Sequence, residues 1–147
     1  DRIRMTELAI APYPEFRLEL YDARRTEVSC SYSTMEYLKK RYPEDEFYFI
    51  IGADSLFAIE TWRHPERLFP TCTILATYRD EVNTKEEMNA RIRYLTEKYD
   101  ARIRLFITPL IKVSSHELRK MVKEGKNIAP YVPKDVGVYI SRHHLYQ

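Results

Sequence analysis

Two periods of apolar and polar residues alternate along this chain. Met5, Leu8 and Ala9 recur at helical spacing, so a short helix is predicted almost at the first residue. Residues 16–20 alternate apolar and polar as a strand does, and residues 31–42 read as a capped helix closed by Pro43. Residues 47–51 are an unbroken apolar run, the pattern of a strand buried on both faces of a parallel sheet. Gly52, Ala53, Asp54 and Ser55 then turn into another short helix. A second buried-type strand follows at 72–77, and residues 85–98 place Met88, Ile92 and Leu95 on one helical face. Residues 101–107 form the next strand and Pro109 blocks its continuation. Apolar residues return at Leu118, Met121 and Val122 in a helix that opens near Ser114. Pro133 suits the first turn of a last helix carrying Val136, Tyr139 and Ile140.

Strand and helix alternate throughout, without internal repeats or low-complexity segments. That order predicts a single α/β domain over residues 1–147: a doubly wound, mainly parallel sheet lacking its first strand or strands, since the first helix starts as though its preceding strand were missing. In such sheets the ligand crevice lies at the carboxyl ends of the strands. Three polar clusters, at Gly52–Asp54, at Arg79 and at Ser114–Arg119, directly follow predicted strands and are expected to share that rim.

Composition narrows the partners. With 147 residues, 44% hydrophobic and 31% charged, and only three glycines, the chain is neither disordered nor fibrous. Lysine plus arginine number 24 against 22 acidic residues, with the signs interspersed, so no broad face for a nucleic-acid backbone is expected. A small anion needs only a local pocket. Cys30 and Cys72 have no metal-ligand spacing and are read as reduced thiols. No apolar segment approaches a membrane span, and the opening residues lack the apolar core of a signal peptide. A cytoplasmic protein with no membrane partner is expected. His143 and His144, without Cys or carboxylate at ligand spacing, read as solvated surface residues.

The stretch Val113-Ser114-Ser115-His116-Glu117-Leu118-Arg119 carries the most specific chemistry. The first amides of a helix have no intrahelical acceptor and carry the positive end of the macrodipole, so they attract an anion. Ser114 and Ser115 add hydroxyl donors and Arg119, one turn in, adds a guanidinium fork. Triphosphate suits that set. The same residues also fit a capping box, Ser114 with Glu117, with Gly125 as the stop. Each further candidate has a similar pair of readings. Gly52 permits close backbone approach and Asp54 offers a carboxylate acceptor, or the two serve as turn and N-cap. Trp62 offers a π-face to an aromatic ligand, or it belongs to the core. At the start of the helix over 31–42, Ser31 alone, or Ser33 with Glu36, fits a cap.

Taken together, Ser114-Ser115-x-x-Leu118-Arg119, Gly52-Ala53-Asp54-Ser55 and Thr61-Trp62 resemble the bacterial nicotinate-nucleotide adenylyltransferases, members of the nucleotidyltransferase superfamily with a Rossmann-like fold. The resemblance covers essentially the whole chain. It implies transfer of AMP from ATP to nicotinate mononucleotide, giving nicotinate adenine dinucleotide and pyrophosphate in NAD synthesis. It assigns Ser114, Ser115 and Arg119 to the ATP phosphates, with His116 in place of the family's threonine, and Gly52 and Asp54 to the nucleotide. Trp62 would stack on the pyridine ring. Ser31 and Thr34 would lie in the segment that contacts the nicotinate carboxylate, where Cys30 replaces a tyrosine and Ser31 a threonine. Arg79 falls where the family has an arginine before proline-glycine, here followed by Asp80-Glu81. Mg2+ is expected mainly on the ATP phosphates.

The family's histidine-x-glycine-histidine motif, which stabilises the transferring phosphoryl charge, does not occur in this sequence. The resemblance therefore points to an N-terminally truncated domain, a fragment of a complete enzyme, with an inactive nucleotide-binding protein as the alternative. Sister transferases acting on nicotinamide mononucleotide or pantetheine phosphate are the near rivals. An exposed sheet edge on such a fragment implies self-association.

Overall fold

Three short parallel strands carry the part of the molecule where most of the candidate residues lie. The computed structural model describes residues 1–77, 84–106 and 113–147. Its elements run α1 (Arg2–Ile10), α2 (Ser31–Arg41), β1 (Tyr48–Gly52), α3 (Ala53–Ala58), α4 (Pro65–Leu68), β2 (Thr73–Thr77), α5 (Lys85–Tyr99), β3 (Ile103–Phe106), α6 (Ser115–Lys123) and α7 (Lys134–Arg142). Two compact units emerge. One is Tyr21–Leu110; the other joins Asp1–Leu20 to Ile111–Gln147.

In the Tyr21–Leu110 unit the sheet order is β1-β2-β3. Ile51 lies beside Ala76 and Ala76 beside Leu105, with Phe49, Ile74 and Ile103 forming the next row on the same face. Helices must connect parallel strands, because a hairpin cannot return the chain to the same end. Here α3 and α4 make the first crossover and α5 the second. Leu56, Ile59, Ile74, Met88 and Leu95 lose all solvent exposure in the resulting core. Each such side chain contributes about 1.5–3 kcal/mol. Met88, Ile92 and Leu95 face this core as their spacing predicts. A capping box starts α5, with Glu87 N–H donating to Thr84 Oγ1 at 3.2 Å and Thr84 N–H to the Glu87 carboxylate at 2.8 Å.

Two expectations about strands need correction. Residues 16–20 form no strand: Phe16 is 59% exposed, and the Leu20 amide donates to the Glu19 carboxylate instead of a ladder partner. Alternation creates an apolar edge, but a strand also needs a neighbour. The run at 47–51 does become β1, yet it is not buried on both faces, since Ile50 is 65% exposed. Among the described residues β1 pairs only with β2, so it is an edge strand. β2, with a neighbour on each side, has the buried pattern expected of it.

The second unit is helical among its described residues. α1 packs along α7, and Tyr139 Oη donates to the Asp1 carboxylate at 2.9 Å. Val136 and Ile140 are the buried residues of α7, whose N-cap is Pro133. Gly125, at φ 68°, stops α6. Its amide donates to Val122 O and that of Lys126 to Met121 O, the paired bonds of a Schellman stop that only a left-handed residue closes without strain.

Candidate functional site

A cavity of about 170 Å³ in the Tyr21–Leu110 unit lies between the start of α2 and the chain leading into α4. On one side are Ser29, Cys30, Ser31 and Tyr32; on the other are Trp62, Arg63, Pro65 and Leu68. Cys30 is the N-cap of α2 and no side chain caps this helix. The capping alternatives for this segment are not realised: Ser33 Oγ donates to Cys30 O at 2.9 Å, and Glu36 turns to Arg67. The first amides of α2, at Ser31 and Tyr32, thus keep no intrahelical acceptor and present the positive end of the helix at the cavity.

The opposite wall is built by short-range bonds. Thr61 Oγ1 donates to Ala58 O at 2.7 Å and closes α3, and the Trp62 amide donates to Ile59 O. The indole stands edge-on to Phe49 of β1, with centroids 6.3 Å apart at 90°. Trp62 is therefore both a half-buried flank of the core and a cavity wall. His64 adopts a left-handed conformation, φ 54° and ψ 57°, which turns the chain into Pro65 and α4. Free thiols occupy both cysteine positions, and burial raises the pKa of Cys72.

Thr34 stands outside this cavity lining. Its hydroxyl donates to the Asp22 carboxylate, 2.8 Å from each oxygen, so it ties α2 to the turn at Asp22–Arg24. Gly52 and Asp54 sit where β1 passes into α3, at the carboxyl end of the sheet. Gly52 has an ordinary φ of −78°, so the turn does not require glycine. A Cβ there would meet nothing within 4 Å, which leaves open space beside the backbone. Gly52 is the N-cap of α3, and Asp54 is an exposed acid in its first turn, not a cap.

One contributor escapes sequence reasoning. Glu60, two residues before Trp62, accepts from Lys98 Nζ at 2.7 Å, Tyr99 Oη at 2.9 Å and Arg91 at 2.9 Å. Arg91 also donates to Leu56 O and Phe57 O near the end of α3. The hydrogen bond from Lys98, reinforced by Tyr99 and Arg91 against some desolvation, holds the Glu60 carboxyl down at about 2. The available signal is the polar stripe Arg91, Tyr94 and Lys98 along one face of α5. Its target, Glu60 just past the end of α3, is far away in sequence and gives no such signal.

In the second unit Ser114 is the N-cap of α6 and the capping box is complete. Its amide donates to the Glu117 carboxylate at 2.6 Å, and the Glu117 amide donates to Ser114 Oγ at 3.2 Å. Ser115 and His116, at the first helical positions, still present amides without an intrahelical acceptor. Ser115 and Arg119 border a hollow of about 240 Å³ floored by Leu118, Val122 and Ile140. Arg119 also joins His116, Lys120 and Lys123 around a shallower, cationic one. Arg79, with Asp80 and Glu81, lies outside the described residues, as do Ile107 and Pro109. Among the described residues no three His, Cys, Asp or Glu side chains gather into a metal site, and no helix is long and apolar enough to cross a membrane.

No protein-family model matches the chain. Sequence relatives are clear. The chain is 40% identical over 145 residues to a probable nicotinate-nucleotide adenylyltransferase of Lachnoclostridium phytofermentans, a match spanning 99% of this chain and 72% of that protein. It is 35% identical to the protein of that name from Carboxydothermus hydrogenoformans, with 99% and 72% covered. With the one from Lactiplantibacillus plantarum it shares 34% identity, covering 100% of this chain and 64% of the relative. Two solved structures of Plasmodium falciparum nicotinic acid mononucleotide adenylyltransferase, one complexed with APC and one with NaAD, superpose with TM-scores of 0.73 and 0.74 over 99% of this chain. They cover 74% and 72% of those chains at 21% identity. At that identity the likeness is one of fold, which is α/β and Rossmann-like.

Proposed function

The chain belongs to the nicotinate-nucleotide adenylyltransferase family, and from that premise we propose how its residues serve AMP transfer from ATP to nicotinate mononucleotide. The reaction joins the mononucleotide phosphate to the α-phosphorus of ATP in line and releases pyrophosphate. Nicotinate adenine dinucleotide is the product, so the enzyme is a transferase of NAD synthesis.

The observation that carries the assignment of the pyridine site is the cavity between α2 and Trp62. An aromatic carboxylate needs a π-face for its ring and unpaired donors for its charge. The cavity offers the indole of Trp62 for the first, and for the second the Ser31 hydroxyl with the amides that open α2. Arg63 adds a positive charge at the same opening. A carboxamide would turn its NH2 donors toward donors, and a buried donor left without an acceptor costs about 1–3 kcal/mol. Thr34 supports this wall through Asp22.

ATP is assigned to two corners. Gly52 leaves room for the nucleotide at the end of β1 and Asp54 accepts from its hydroxyls. Ser114, Ser115 and Arg119 take its phosphates, supported by the cationic border His116, Lys120 and Lys123. Arg79 is proposed for the mononucleotide from the family resemblance alone. The nucleotide enters as its magnesium complex. That ion would be held mainly by the phosphates and would neutralise charge on the leaving pyrophosphate. We propose a cytoplasmic protein whose partners are nucleotides and not nucleic acid.

Trp62 is the only tryptophan, so its fluorescence reports directly on the pyridine site. Titration with nicotinate mononucleotide should quench it at concentrations at least about tenfold below those needed for nicotinamide mononucleotide. Equal or tighter binding of the amide overturns the assignment.

A further inference from the structure

The cavity beside Trp62 has walls on two separate elements, and something must hold those elements at a fixed distance. Glu36 of α2 and Arg67 of α4 meet across the gap. Arg67 Nε donates to Glu36 Oε1 at 2.8 Å and the terminal nitrogen to Oε2 at 2.6 Å, a planar fork-to-fork pair. The same guanidinium lies over the ring of Tyr32, 4.4 Å from its centroid. Tyr32 in turn meets His64 edge-on, with centroids 5.2 Å apart at 79°. The ring is thus held by Arg67 and by His64, the left-handed residue that starts α4. Tyr32 lines the cavity; Arg67 and Glu36 do not.

Resting on the pyridine-site reading above, we propose that Arg67 and Glu36 are a positioning pair, which sets the spacing between the α2 start and the Trp62 wall through the ring of Tyr32. The pair is solvent-exposed, 48% for Arg67 and 37% for Glu36, and exposed pairs of this kind add little to global stability. Its effect is local. A stacked ring between an indole and a row of helix amides needs both surfaces preset, and preorganisation of that kind appears as affinity. Lysine cannot replace the arginine, because an ammonium is a point charge that neither forks onto a carboxylate nor stacks flat on a phenol.

The test uses the full chain carrying Arg67→Lys, Glu36→Gln or both, with three readouts: nicotinate mononucleotide titration by Trp62 fluorescence, acrylamide quenching of Trp62 without ligand, and thermal melting. Each single variant should bind the mononucleotide about five- to tenfold more weakly and expose Trp62 more to acrylamide, with melting temperatures within about 3 °C of the parent. Because the two residues act as one unit, the double variant should be no worse than either single. Binding by Arg67→Lys equal to the parent, losses that add in the double variant, or a melting temperature that falls in step with affinity would each overturn the proposal. If the parent itself shows no response to nicotinate mononucleotide, the pyridine-site reading fails. Acrylamide quenching then decides the spacing role alone: a rise in the variants upholds it, and no change refutes it.

Discussion

Replacing Glu117 by glutamine should tighten nucleotide binding while weakening the helix that binds it. The Glu117 carboxylate lies 2.6 Å from the Ser114 amide, on the corner assigned to ATP phosphate. A phosphate oxygen on the neighbouring Ser115 or His116 amide would lie on the order of 4 Å from that carboxylate. Two unit charges at that separation repel by about 1 kcal/mol in water, which is roughly a fivefold change in affinity. Glutamine keeps an acceptor for the Ser114 amide but removes the charge. It also gives up a favourable interaction with the helix dipole, about 0.5 kcal/mol, so the melting temperature should fall by about 1–2 °C. Calorimetric titration with magnesium ATP reads the first effect, and its size should shrink as salt screens the exposed charge. Weaker or unchanged nucleotide binding in Glu117→Gln would refute the placement of phosphate at this corner.

Other perturbations probe the remaining layers. Trp62→Ala should weaken nicotinate mononucleotide binding by about tenfold, the value of one aromatic stack; calorimetry showing parent-like affinity would remove the indole from the site. Leu56 is fully buried, and Leu56→Ala should cost about 3 kcal/mol from lost transfer energy plus a cavity, read as a lower urea midpoint; a loss below about 1 kcal/mol would mean the core beneath α3 collapses to fill the gap. Glu60 titrates at about 2 in the folded protein against 4.5 unperturbed, so its stabilising effect is complete above pH 4.5 and disappears as pH falls to about 2. Urea midpoints of the parent and Glu60→Gln should accordingly differ at pH 7 and converge near pH 2, whereas a constant gap would rule the carboxylate out as the cause. The edge of β1 that has no strand partner among the described residues, with Ile50 exposed on its face, should drive concentration-dependent self-association; light scattering should show less of it in Ile50→Lys, and a monomeric parent would contradict this.

Periodicity was enough for most of the elements, because burial against a core acts on each helix and strand in the same way. The stripe Met88, Ile92 and Leu95 and the stop at Gly125 are local consequences of side-chain spacing and backbone freedom. It failed where a partner decides. Residues 16–20 alternate correctly yet find no ladder, and the apolar run of β1 is not buried on both faces, since Ile50 stays 65% exposed.

The candidate site divides in the same way. Ser114 with Glu117 depends on residues within a turn of one another, so that capping box is legible from the sequence; that α2 starts without a side-chain cap was decided by the structure. The brace from Arg91 and Lys98 to Glu60, the diversion of Thr34 to Asp22, and the fork of Arg67 on Glu36 join residues far apart in the chain. Hydrogen bonds and ion pairs have short reach, and only packing brings such residues within it. The sequence alone therefore determined most of the elements and put forward the groups proposed for the nucleotides. The tertiary structure decided which of those groups are already engaged and what holds the Trp62 wall in place.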